Sequence, residues 1–212
     1  MTSAPPTPRI VLGLLGGISA GKSTVSAVIA AKGRGRVIDA DALARQALEQ
    51  CARDGRLAAG LGPWALTKTG VPDRKAIAAR VFGDPAALRA LERLTHPHVT
   101  AQIEEAVHDH RVGKGPPILV LDVPLLIEVG LDRRCDALWF VDAPDEERYE
   151  RAEKRLGFSR EEVDRRESAQ SPLDRKRARA ELVIDNGNAP EALFAQVEEG
   201  LRALGCRIPS PK

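Results

Sequence analysis

Apolar residues in this chain come in two rhythms. Five short runs are apolar almost without interruption: RIVLGLL (9–15), RVIDAD (36–41), PILVLD (117–122), ALWFVD (137–142) and ELVID (181–185), the last four closing on an aspartate. Unbroken apolarity of this length marks strands buried on both faces, as in a parallel sheet sandwiched between helices; a sheet with one wet face would alternate. Longer stretches between the runs read as helices, so the pattern predicts a doubly wound α/β fold, a five-stranded parallel sheet flanked by helices.

The helical stretches carry their own start and stop signals. From Lys22 an Ala/Val/Ile-rich segment without proline runs to Gly33 as a C-terminal cap. Residues 145–156 form a helix closed by Gly157, and 190–204 one closed by Gly205, with Asn188 and Glu191 spaced as a capping box. The interval between the second and third strands is too long for one crossover. It holds DRKAIAARVF opened by Asp73, DPAALRALERL opened by Asp84 with Pro85 at the first helical position, and HPHVTAQIEEAVHDH opened at Pro97. These predict an inserted helical lobe at 50–112, where a second substrate sits, on a core of 9–49 and 113–205. Only the first eight residues and the PSPK tail read as unstructured.

The chemistry starts at GGISAGKS (16–23), which satisfies GxxxxGK[ST] between a predicted strand and a predicted helix. Glycines let such a loop turn back so that successive amides point inward, and the helix behind adds the positive end of its dipole. Lys22 supplies a cation for the β- and γ-phosphates, the Ser23 hydroxyl is a ligand for bridging Mg²⁺, and Thr24 lies near the α-phosphate. The loop therefore binds a nucleotide phosphate.

A phosphate loop alone does not separate ATPases, GTPases and small-molecule kinases; the aspartates must. Ligands of such sheets sit beyond the carboxyl ends of the strands, so Asp41, just past the second run, should face the loop. An acid there can accept a hydroxyl proton and aim that oxygen at the γ-phosphorus. It could equally cap the helix ALARQALEQ, a task also open to Asp39. Arg45, one turn beyond Asp41, is placed to grip a substrate diphosphate or to pair with Glu49. Asp122 is a candidate Mg²⁺ ligand, directly or through water. Residues 145–167 carry seven Lys/Arg against nine Asp/Glu, which reads as solvated helix with pairs such as Glu147–Arg151 and Glu150–Lys154. Phosphoryl transfer still needs cations that arrive with closure, and Arg151 and Arg155 share a helix face. His96, His98, His108 and His110 lack metal-ligand spacing and read as surface or capping residues.

Composition narrows the partners. A formal charge of +2, from 32 basic and 30 acidic residues, exerts no global pull on nucleic acid or an anionic membrane, and 3% aromatic residues offer few stacking platforms. Cys51, Cys135 and Cys206 form no metal or CxxC spacing and suit a reducing compartment as inert thiols. MTSAPPTPR has no long apolar stretch behind it. The expectation is a cytoplasmic protein, monomer or weak homo-oligomer, acting on a small molecule.

Several segments together resemble the dephospho-coenzyme A kinase family: GLLGGISAGKST, VIDADALAR, DRKAIAARVFGDPAALRALERLTHPHV, LDVPLLIEVGLD, VDAP, RAEKRLGF and RARAELVIDNGNAPEAL, in family order over roughly residues 10–204. The resemblance implies a P-loop kinase fold with a helical CoA-binding insert and an arginine-bearing lid at 150–170. It implies transfer of phosphate from ATP, with Mg²⁺, to the 3′-hydroxyl of the ribose of dephospho-CoA. By motif it makes Asp41 the base, Gly17 and Ser19, Ala20, Gly21, Lys22, Ser23 and Thr24 the ATP loop, Arg151 and Arg155 lid cations, and Asn186 a neighbour of the adenine. Two positions depart: the family usually reads GGIGSGKS, so Ser19 and Ala20 replace a glycine and a serine, with a modest effect expected on loop flexibility. RLAAGLGPWALTKTG, on the side expected to meet the pantetheine arm, matches poorly. Other readings left open are another small-molecule or nucleoside monophosphate kinase and a switch that binds ATP without transferring it.

Overall fold

The computed structural model describes residues 8–31, 34–81 and 83–205. Five strands, β1 (Ile10–Gly16), β2 (Gly35–Asp39), β3 (Ile118–Asp122), β4 (Ala137–Asp142) and β5 (Leu182–Asp185), form one parallel sheet in the order β2-β3-β1-β4-β5. β1 is central. It pairs in parallel with β3 from Ile10↔Ile118 to Gly13↔Leu121 and with β4 from Leu12↔Ala137 to Gly16↔Val141. The predicted second strand ends earlier than expected, at Asp39, because the helix α2 (Ala40–Arg53) begins at once.

Both faces of the sheet are covered, which is why its runs need no alternation. On one face Leu12, Leu14, Ile118, Val120, Trp139 and Ile184 meet Val25 and Ile29 of α1 (Lys22–Ala31) and Leu193, Val197 and Leu201 of α9 (Pro190–Ala203). A Cβ added at Gly200 would fall 2.7 Å from the Trp139 ring, so this glycine lets α9 approach the sheet. On the other face, a Cβ at Gly13 would fall 2.6–2.8 Å from Leu126, Leu138 and Cys135. The expected cap at Gly33 and the PSPK tail lie outside the described residues.

The chain divides into two compact units, one built from residues up to Ile38 and from Val107 onward, the other from Asp39–Ala106. The whole of α2 thus belongs with the second unit, since its Leu48 and Cys51 face Leu57 and Leu61 of α3 (Arg56–Leu61), Ile77 of α4 (Arg74–Val81), and Leu91 and Leu94. Asp73 accepts from the Ala76 amide at 3.0 Å and Asp84 from those of Ala86 and Ala87 at 2.9 and 3.1 Å, so both act as the helix caps their positions suggest.

Three local expectations are corrected. The two helices predicted to meet at Pro97 are one, α5 (Pro85–Arg111), because a proline deletes a single backbone bond while Leu91, Leu94 and Ile103 hold the two halves. Asn188 forms no capping box; its amide donates to Asp185 at 2.6 Å and the N-cap is Ala189. His110 is buried, its carbonyl receiving Arg9 Nε at 2.5 Å, and burial lowers the imidazole's pKa. Cys51 and Cys135 are free thiols, both raised by burial, Cys135 to about 12, which leaves them unreactive; Cys206 is outside the described residues.

Candidate active site

The strand-to-helix junction builds a concave loop from Gly16 to Ser23. Ala20 N–H turns back to Gly17 O at 3.3 Å, while the amides of Ser19, Gly21, Lys22 and Ser23 have no acceptor among the described residues. An anion would satisfy these donors. Gly21 sits at φ +103°, and a Cβ there would fall 2.0 Å from Asn186 Nδ2, so both backbone and space demand glycine. Ser19 adopts φ +58°, a left-handed conformation that a glycine would take without strain and that costs a side-chain-bearing residue about 1–2 kcal/mol.

Lys22 opens α1 and folds its ammonium over the loop, donating to Gly16 O at 3.0 Å and Gly17 O at 2.8 Å. Asn186 braces the other rim, with Nδ2 donating to Ala20 O at 2.8 Å. Arg151 on α6 (Asp145–Leu156) donates in turn to Asn186 O at 3.0 Å and to Glu147 at 2.5 Å. Its second nitrogen, Nη1, is buried without a hydrogen-bond partner among the described residues. Asp122, at the end of β3, accepts from Ser26 Oγ at 3.4 Å and acts electrostatically on Lys22.

The first unit therefore brings together Gly17, Ser19, Ala20, Gly21, Lys22, Asp122, Asn186 and Arg151, with Ser23 and Thr24 exposed in the first turn of α1. Arg155 is exposed and makes no ion pair with a described residue, one turn from Arg151 but not in the cluster. Asp41 stands in the first turn of α2, in the second unit, exposed. The cap of α2 is Asp39, which accepts from the Ala42 amide at 3.0 Å and pairs with Arg45 at 3.7 Å. Capping thus does not account for Asp41. Of the two roles read for Arg45, the Glu49 pair is not formed, since Glu49 binds Arg74 at 2.9 Å.

The chain matches the family described as dephospho-CoA kinase over residues 10–191. It is 43% identical to the dephospho-CoA kinase of Anaeromyxobacter dehalogenans, over 94% of this chain and 96% of that one. It is 44% identical to that of Deinococcus radiodurans, over 95% of each. A crystal structure from Thermus thermophilus superposes with a TM-score of 0.77 at 38% identity, covering 92% of this chain and 97% of that one. The chain belongs to the dephospho-CoA kinase family. It is accordingly a nucleotide-binding phosphotransferase with a P-loop kinase fold and ATP as a substrate.

Three features of this kinase escaped the sequence. Arg148, only 5% exposed, binds Glu167 at 2.6 Å and Asp145 at 2.7 Å and reaches Ile18 O at 3.4 Å. Glu167, on α7 (Arg160–Ser168), accepts from the Ile18 amide at 2.6 Å. Lys176, on α8 (Leu173–Ala178), is 2% exposed, between Gln170 at 2.8 Å and Glu128 at 3.3 Å. Arg148 and Glu167 lie in the charged stretch read as solvated, where counting signs gives no hint that two residues nineteen apart turn inward. Glu128 offered the one usable signal, as the acid of PLLIE.

Burial lowers the Lys22 pKa to about 8, an effect that Lys176 and Arg148 deepen and Asp122 and Glu167 oppose. Without nucleotide, Lys22 would therefore cost stability below pH 8, and that cost would be relieved as pH rises from about 8 towards the unfolded value of 10.5. Bound phosphate favours the charged form, so nucleotide should draw in a proton. Titration calorimetry at pH 8.5 in buffers of different ionisation enthalpy should find uptake of about 0.5–0.8 proton per ATP, with affinity falling as pH rises above about 8 and flat below it. Zero uptake would show that Lys22 is already charged or is not at the phosphate.

Proposed function

We propose that the chain performs the final step of coenzyme A synthesis, moving the γ-phosphoryl group of ATP to the 3′-hydroxyl of the ribose of dephospho-CoA and releasing ADP. The reading rests on one observation: an amide-and-lysine cradle from Gly16 to Ser23 in a chain similar to dephospho-CoA kinases along almost its whole length.

In this reading the loop amides and Lys22 hold the triphosphate, and Asn186 lies on the side of the adenine. Asp41 accepts the hydroxyl proton and orients the oxygen for in-line attack. Arg151, helped by Arg155 as a lid over 150–170 closes, spreads the charge of the transferring group and excludes water. The Asp39–Ala106 unit carries the CoA-like substrate. The donor set suits Mg²⁺: Ser23 offers a hydroxyl and Asp122 a carboxylate, both hard oxygen ligands. When bound, Mg²⁺ neutralises the β- and γ-oxygens. No helix among the described residues is long and apolar enough to cross a membrane.

The test is a coupled assay with ATP, Mg²⁺ and either dephospho-CoA or a panel of nucleosides and nucleoside monophosphates, with mass spectrometry of the product. Dephospho-CoA should gain one phosphoryl group on its ribose. Phosphorylation of a nucleoside monophosphate while dephospho-CoA stays unmodified would overturn the reading in favour of another small-molecule kinase.

A further inference from the structure

Inward-facing amides and a lysine are what a phosphate loop requires; a carboxylate among them is not. Glu167 places Oε1 2.6 Å from the Ile18 amide and 2.6 Å from Arg148 Nη1, with its side chain 16% exposed. One oxygen shared between a loop amide and a guanidinium is the contact pattern of a phosphate oxygen. The fit is close: a Cβ at Gly17 would fall 2.3 Å from Arg148 Nη1 and 2.7 Å from Glu167 Oε1.

The position along the nucleotide follows from the loop's direction. With the α-phosphate towards Thr24, as the motif implies, the phosphate chain would run back along the loop and its free end would meet the first half, where Ile18 stands. A nucleoside triphosphate and the Glu167 carboxylate would then compete for the same two donors, and two anions cannot share them without a large repulsive cost. A diphosphate bound in the same direction would stop short of them. Arg148 is also tied to Asp145 at 2.7 Å, so its guanidinium stays at the loop when Glu167 withdraws.

We propose that Glu167 is a placeholder for the terminal phosphate: it occupies the Ile18 amide and Arg148 while the loop is empty, and yields both to the γ-phosphate when ATP binds. Arg148 thereby becomes a cation on the transferring group, and the exchange sets how strongly the enzyme distinguishes ATP from ADP. The inference rests on the Gly16–Ser23 loop being the ATP site.

The experiment measures ATP and ADP dissociation constants, at constant Mg²⁺, for the parent protein and for Glu167→Gln, Glu167→Ala and Glu167→Asp. Glutamine keeps an oxygen for Ile18 and removes the charge. The Gln and Ala variants should raise the affinity for ATP relative to ADP by about tenfold, the size of one lost charge repulsion near a surface-linked site. Asp, which keeps the charge, should fall between parent and Gln. An unchanged ratio, or a parallel loss of ATP and ADP affinity with a lowered melting temperature, would make Glu167 a structural strut and overturn the proposal. On the unmodified protein, a non-hydrolysable ATP analogue should shift the Ile18 amide resonance far more than ADP does; equal shifts would overturn it too. If the parent binds no ATP, or Lys22→Ala binds it as well as the parent, the loop reading fails; normal ATP binding with an unchanged ratio defeats only the placeholder.

Discussion

Asp41→Asn should lower turnover by about 10²–10⁴-fold while leaving the ATP dissociation constant within about twofold of the parent. The amide keeps the shape and one acceptor oxygen but cannot take the proton of the attacking hydroxyl. Because Asp39 rather than Asp41 caps α2, accepting from Ala42 at 3.0 Å, the substitution should leave the helix start intact. That separates chemistry from folding: Asp39→Ala should lower stability by about 0.5–2 kcal/mol through the cap, whereas Asp39→Asn, which keeps the acceptor oxygen, should leave it nearly unchanged. Single-turnover kinetics and equilibrium ATP binding on the same preparation check the expectation. Undiminished turnover in Asp41→Asn would remove Asp41 as the base, and a matching loss of ATP affinity would place it in nucleotide binding.

Lys22→Ala should weaken ATP binding and also lower turnover, by about 10²–10³-fold in rate, the scale seen when one preorganised electrostatic group facing developing charge is removed. The ammonium already lies over the loop, 2.8–3.0 Å from the Gly16 and Gly17 carbonyls, so little reorganisation precedes its contact with phosphate. Arginine at this position should rescue poorly, since a planar fork does not replace a point charge in a recess that holds one amine. Calorimetric ATP affinity combined with steady-state rates tests this; a variant with parental affinity would mean that the amides alone hold the nucleotide.

Much of this was legible along the chain. The strands were written as unbroken apolar runs, and the loop motif carries its own geometry, since glycine, lysine and serine at that spacing make sense only between a strand and a helix. Caps at Asp73, Asp84 and Gly157 followed from local rules because an N-cap or a left-handed C-cap is decided within four residues. Local rules failed where distant packing outweighed them. Pro97 was read as a break, yet the apolar face of α5 carries the helix through it. The Asn188 amide, suited to a capping box, found a stronger acceptor in Asp185.

The sequence by itself determined the layered α/β architecture and the place of the phosphate cradle, because both depend on side-chain periodicity and on backbone freedom at a few neighbouring positions. Only the tertiary structure decided which charges turn inward. Arg148, Glu167 and Lys176 are ordinary polar letters in helices rich in charge, and Arg151 meets the Asn186 carbonyl only through the fold. The physical reason is range: hydrophobic periodicity is set between residues a turn apart, whereas the burial of a charge is set by whatever groups the fold carries to it from elsewhere in the chain.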